Sequence, residues 1–436
     1  MDRVAACIER HLPHGGRLSV GYSGGLDSTV LLNLLAGLRG RLGYALSAVH
    51  IHHGLSANAD VWTAHCERVC AELHVPLRVI HVDVAPAGEG PEAAARAARY
   101  REFARLDVDG LALAQHRDDQ AETVLLQLLR GGGPKGLSAM PEARRLESGR
   151  VQLIRPLLEI SRAELAAWAR ARNLAWVEDE SNLQTHFSRN ALRLAVLPLI
   201  ERHFPDSAAV LARSAGQFAE TAGLLDALAD LDGGEAGPLE SLEIRRLAAL
   251  PEARARNLLR RHLELAGATL RQDGLREGLR QILSARPEAQ VELVFGAVAL
   301  RRYRGRAWVI PATEVVSGVR QNKPEQEIPW QGEAALAWAG SQLRFQAMED
   351  GGIRLRDDAV VIRSRLGGEH LRLDKKRPRR ALKDLLRESA IPPWQRERLP
   401  LVYVGDRLAW VAGIGADADF VAGPGEQGWR ITWTPG

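Results

Sequence analysis

Cysteine is scarce in this sequence, with three residues, Cys7, Cys66 and Cys70, among 436. That is too few for a disulfide framework or a four-thiolate metal site, and no two of them have CxxC spacing. Cys66 and Cys70 stand one helical turn apart in a segment of helical periodicity, the pattern of small buried apolar side chains. Long apolar runs are also missing. No stretch of about 18 apolar residues is present to cross a bilayer. The opening MDRVAACIERHLPHGG carries acidic residues and no apolar core of signal-peptide length, so a cytoplasmic protein is expected. Neither sign of charge dominates. The 58 Lys and Arg against 54 Asp and Glu leave a net charge of +4, which alone does not select a nucleic-acid partner. There is no internal repeat.

A hydrophobic content of 46% is ordinary for a globular chain, and this length suggests about three domains. The most informative stretch is RLSVGYSGGLDSTVLLNLLAGL, residues 17 to 38. Leu18, Val20 and Tyr22 alternate as in a strand, and Leu26, Val30, Leu34 and Leu38 recur at helical spacing. Between them, Ser23, Gly24, Gly25, Leu26, Asp27 and Ser28 offer a glycine turn, two hydroxyls and the unpaired N–H groups of a new helix, a seat for phosphate. The string lacks the Lys of GxxxxGK[ST] and the third Gly of GxGxxG. A plain strand-to-helix turn with Asp27 or Ser28 as cap is the alternative.

Further strands follow at 44 to 51, in PLRVIHVDV and in GLALAQH, alternating with helices in 56 to 73, PEAAARAARYREFARL and RDDQAETVLLQLLRG. This alternation predicts an α/β fold with a doubly wound parallel sheet and helices on both faces. In such sheets ligands sit where the carboxyl ends of strands meet at a reversal of strand order. SGGLDS, HIHHGL and AQHRDDQAET all fall at such ends and predict one shared site. There Asp118 and Asp119 suit Mg²⁺ binding or acceptance of a proton from an amine, and His116 suits the latter, with helix capping as the plain alternative. Asp27 near a polyphosphate would need a cation between them. His50 and His52 face one way on their strand and His53 the other, with no carboxylate or cysteine to complete a zinc site; the strand end is read as lining an adenine pocket. Glu92, Arg96 and Arg99 share a helix face, read as solvated salt bridges. GGGPKGLSAM reads as an irregular loop able to close over substrate. Ser161 ahead of Glu164 predicts a capping box. Arg189 and Arg193 are one turn apart.

SGGLDS resembles the pyrophosphate-binding loop of the PP-loop ATP pyrophosphatases. Taken with HIHHGL, PEAAARAARY, AQHRDDQAET, LLRGGGPKGL, IRPLL, and DESN with FSRNALR, it resembles the tRNA(Ile)-lysidine synthetase family across residues 20 to 200. The resemblance implies ATP-dependent attachment of free lysine to the first anticodon cytidine of a CAU-anticodon tRNA(Ile). Ser23 to Ser28, His50 and His52 would hold ATP, and Asp27 with Asp118 or Asp119 would hold Mg²⁺. His116 or Asp119 would deprotonate lysine. A tRNA thiolase, the rival within the superfamily, needs CxxC pairs or a catalytic Cys, which the cysteine count opposes. A non-catalytic nucleotide- or RNA-binding protein is the rival outside it.

Three domains are expected: residues 1–215, the PP-loop catalytic domain; 216–312, a mainly helical tRNA-binding domain; and 313–436, a linker and a small α+β tRNA-binding domain. In the second, VELVFGAVAL and RAWVI read as two strands. In the third, RLDKKRPRRALK sets seven cations against Asp374 alone, which suits binding to phosphates. Arg189, Arg193, Arg377, Arg379 and Arg380 are the expected tRNA-binding residues. The oligomeric state is left open, a homodimer included.

Overall fold

The computed structural model describes residues 1–54, 56, 58–83, 91–146, 149–178, 188–234, 241–268, 270, 272–286, 291–312, 327–355 and 359–434. DESN and most of the expected linker fall outside these residues, as does the Glu92 side chain. The chain forms two compact units, Met1–Leu225 and Asp226–Gly436, with the division inside a helix, Ser207–Gly233.

The first unit opens with α1 (Asp2–His11). It then alternates β1 (Arg17–Gly21), α2 (Leu26–Leu42), β2 (Ala45–His52), α3 (Ala59–Glu72), β3 (Leu77–His81), α4 (Pro91–Ala104), β4 (Gly110–Ala112) and α5 (Arg117–Leu129). A short helix α6 (Pro134–Leu137), a hairpin β5 (Ala143–Arg145) and β6 (Gln152–Ile154), and α7 (Arg162–Ala171) follow. The strands lie in the order β3-β2-β1-β4-β6-β5. All neighbours are parallel except β5 against β6. The chain thus adds strands to one side of β1 and then crosses to the other. The reversal falls between β1 and β4, the place where sheets of this kind take ligands at their carboxyl edge.

Side-chain alternation builds a core on each face. Ala48, Ala112 and Ile154 join the cluster with α1, α2, α3 and α7, while their strand neighbours Val49, Leu111 and Leu153 join Phe103 of α4 in another. Six residues of α2 from Val30 to Leu38 are buried, each leucine contributing about 2 kcal/mol. This helix stops at Gly43, whose φ of 70° lets its N–H reach the Arg39 carbonyl. The predicted capping box is present: Ser161 Oγ accepts from the Glu164 N–H, and the Ser161 N–H donates to Glu164 Oε2. GGGPKGLSAM is more regular than expected. Pro134 starts a helical turn after Gly133, and Gln120 holds the Met140 backbone by two hydrogen bonds, of 2.8 and 2.9 Å.

In the second unit, helices Glu252–Leu265 and Gln272–Ser284 share a core with a four-stranded antiparallel sheet. VELVFGAVAL is two strands and not one. Gly296, at φ 66°, turns the chain so that Phe295 pairs with Val298. The C-terminal part holds a five-stranded and a three-stranded sheet with the helix Leu382–Glu388 in their common core.

Candidate active site at the carboxyl ends of β1 and β4

The loop from β1 to α2 requires its glycine. Gly24 sits at φ 82°, and a Cβ there would stand 3.0 Å from Cys66 Sγ and 3.1 Å from a Val177 methyl. Gly25 then begins α2 in extended backbone with no side-chain cap, which offers the first-turn N–H groups to an anion. Ser23 and Ser28 hydroxyls lie 3.0 Å apart, and Ser28 Oγ donates to the Gly25 carbonyl at 3.0 Å. The Val177 N–H donates to the Gly24 carbonyl at 2.9 Å, tying the segment before DESN to this loop.

Across the reversal, His116 follows β4 and starts α5. It is 1% exposed. Its Nε2 is 3.6 Å from Asp27 Oδ2 and 3.5 Å from Asp119 Oδ2, and its Nδ1 is 3.6 Å from Asp118 Oδ2. Burial alone pushes this imidazole down, but Asp118, Asp27 and Asp119 outweigh it and lift His116 to about 9. Burial also works against the Asp118 charge, yet His116 and the Arg162 N–H bring that carboxyl down to about 2. These three carboxylates favour the protonated ring, so His116 stands as a proton-holding group at their centre.

Of the three expected metal ligands, Asp118 accepts the Arg162 N–H at 2.9 Å, and both Asp119 oxygens are engaged by His116, Arg189 and Arg193. Asp27 differs: its Oδ1 is buried with no hydrogen-bond partner. Among the described residues no group of three His, Cys, Asp or Glu forms a ready metal site. The orphaned Asp27 oxygen nonetheless fits a cation, since a buried carboxylate oxygen left unpaired is costly.

Glu122, one turn beyond Asp119 and one of the acidic residues expected at this strand end without an assigned role, is 1% exposed. It accepts from Arg189 Nε at 2.6 Å and Arg193 Nε at 2.5 Å. Arg189 and Arg193, expected on tRNA phosphates, both pair with this buried carboxylate. Arg189 lies in the helical turn Ser188–Ala191 and Arg193 in a π-helical turn, Leu192–Val196, a distortion common at functional positions. The sequence signal for Glu122 was its spacing from Asp118 and Asp119 on one helix face.

His50 is buried at the end of β2. Its Nδ1 lies 2.9 Å from the Tyr22 carbonyl, which requires the proton on Nδ1 and leaves Nε2 an acceptor. His52 Nε2 is 3.0 Å from Asp60 Oδ1. His53 lies past the strand and accepts from Arg99 Nε at 3.3 Å; burial and Arg99 push it down to about 4. Arg96 lies against Tyr100, and the expected salt bridge to Glu92 falls outside the described residues. All three cysteines are buried, and burial pushes Cys66 up to about 12 and Cys70 to about 11, so neither is a ready nucleophile.

The C-terminal cations separate into two kinds. Arg379 donates to Asp417 Oδ2 at 2.8 Å and Asp419 Oδ2 at 2.9 Å, and Asp417 is wholly buried. Arg380 pairs with Glu388. Arg377 is exposed and only approaches Asp374, at 4.0 Å.

A doubly wound sheet with a glycine loop and acidic strand ends at its reversal defines a PP-loop nucleotide-binding domain, and residues 3–200 match the family model described as a PP-loop domain. Residues 242–308 match the TilS substrate binding domain and residues 360–433 the TilS substrate C-terminal domain. The tRNA(Ile)-lysidine synthase of Nitrosomonas europaea is 42% identical over 97% of this chain and 92% of its own. That of Escherichia coli O157:H7 is 41% identical over 98% of each. The chain belongs to the tRNA(Ile)-lysidine synthase family. Among solved structures, the U34-tRNA thiolase NcsA from Methanococcus maripaludis aligns with a TM-score of 0.43 at 18% identity, over 50% of this chain and 79% of that one. Among the described residues no helix is long and apolar enough to cross a membrane.

Proposed function

We propose that this chain is an ATP-dependent ligase that joins free lysine to the first anticodon cytidine of a CAU-anticodon tRNA(Ile), releasing pyrophosphate and then AMP. The observation that carries this reading is the meeting of Asp27 and His116, 3.6 Å apart, from the two strand ends that flank the reversal. In the proposal Ser23, Ser28 and the start of α2 hold the polyphosphate, and His50 and His52 flank the adenine. Mg²⁺, when bound, neutralises charge on the departing pyrophosphate. Asp27 would hold it through its unpartnered oxygen, with Asp118 or Asp119 beside it. The cytidine O2 attacks the α-phosphorus, and the lysine ε-amine then displaces AMP from the base. Asp119 or His116 is the proposed proton acceptor, the two lying 3.5 Å apart. The proposed division of labour is catalysis in residues 1–215 and tRNA binding in residues 216–312 and 313–436.

Pyrophosphate release measured with tRNA, lysine or both tests this. Pyrophosphate release from ATP that needs tRNA, followed by AMP release that also needs lysine, is expected; pyrophosphate release from ATP without tRNA would contradict it.

A further inference from the structure

Arg155 is 3% exposed, directly after β6, and its guanidinium has only neutral acceptors. Nε donates to Gln115 Oε1 at 3.2 Å and one terminal nitrogen to the Pro141 carbonyl at 2.7 Å. Among the described residues no carboxylate pairs with it. A buried charge without a counter-charge is costly, and proteins retain one where a ligand supplies the opposite sign. The ionisable groups acting on it are Tyr100, Arg144 and Arg96. Arg96 and Arg144 stand over the Tyr100 ring at 4.9 and 5.5 Å. Both are exposed, and neither forms an ion pair among the described residues. The result is one deep guanidinium behind an aromatic ring and two open ones at its rim.

The place is as telling as the charge. The Leu113 N–H donates to the Ile154 carbonyl, and His116 bridges Leu157 in parallel, so the segment carrying Arg155 runs beside the one carrying Gln115 and His116. Gln115, which accepts from the guanidinium, is the residue next to His116. The glycine loop that seats a polyphosphate belongs to β1, a different strand end, so these arginines are not needed there.

We propose that Arg155, Arg96 and Arg144 around Tyr100 form a subsite for one phosphodiester of the RNA strand that enters the active site. This rests on the reading of the chain as a tRNA-modifying enzyme. A guanidinium binds phosphate oxygens in bidentate fashion, and an aromatic ring beside it accepts a stacked base, the combination used for unpaired RNA. Such a grip orders the strand and carries no base information.

The test titrates the full-length protein with a hairpin RNA of the CAU anticodon stem and loop over a range of salt. Arg96→Gln combined with Arg144→Gln, both at exposed positions, should weaken binding roughly tenfold and flatten the salt slope of log affinity by roughly 0.7 for each phosphate charge no longer neutralised. ATP affinity should stay unchanged. Arg155→Lys keeps the charge but not the planar fork, and should weaken the same RNA with little change in slope. Unchanged affinity and slope in a variant of unchanged melting temperature would overturn the proposal. So would a defect confined to the KM for lysine, which would put an amino-acid carboxylate on these arginines. Binding is read without turnover, so a wild-type protein that releases no pyrophosphate would sink the functional reading and leave this comparison intact.

Discussion

Arg193 donates from Nε to Glu122 Oε1 at 2.5 Å, joining residues 71 positions apart in the chain. The carboxylate is almost fully buried, and Arg189 shares it from the preceding turn. A buried acid between two cations is costly to break from one side. Glu122→Gln should destabilise the first unit by about 3 kcal/mol. Urea unfolding followed in that variant checks this; a loss below about 0.5 kcal/mol, the range of ordinary surface changes, would mean that the pairs carry no weight.

His116 should titrate far above an ordinary imidazole. Its pKa is raised from 6.5 to about 9, so its stabilising charge is fully present below 6.5 and is lost as pH rises through about 9. The stability difference between wild type and His116→Gln should therefore shrink between those values. An NMR titration of the ring in the ligand-free protein gives the direct measurement, and a midpoint near or below 6.5 would contradict the geometry.

The cationic run in the C-terminal domain should split by function. Arg379→Gln leaves buried Asp417 without its guanidinium and should cost about 2 kcal/mol, the scale of a hydrogen bond to a charged group. Arg377→Gln should leave stability unchanged and flatten the salt slope of tRNA binding by roughly 0.7 to 0.9. Thermal melts and salt titrations of the two variants decide between them. Equal melting and equal slopes would return the whole run to solvated surface.

What the sequence made legible was local. SGGLDS, the end of β2 and AQHRDD each combine a strand, a turn and a helix start within a few residues, so periodicity and turn chemistry were enough to place them at one sheet edge. The capping box at Ser161 was readable for the same reason. Partners distant in the chain were not readable. Glu122, the partner of Arg189 and Arg193, lies 67 and 71 positions away. Asp417, the partner of Arg379, is 38 positions on. The raised pKa of His116 owes to its neighbours Asp118 and Asp119, which spacing shows, and to Asp27 from another strand, which it does not. VELVFGAVAL hid its hairpin because apolar residues flank Gly296 on both sides.

Asp27→Asn should fold, since it keeps the side-chain shape and leaves Asp118 and Asp119 facing His116. It should also lose nearly all pyrophosphate release. A folded variant that keeps the wild-type rate would remove Asp27 from the metal and phosphate chemistry.

Transfer of radiolabelled lysine to tRNA tests the central claim most directly. With ATP present, label should appear in the CAU-anticodon tRNA(Ile), map to its first anticodon cytidine, and be absent without ATP. Label that fails to join this tRNA, or joins it without ATP, would contradict the account.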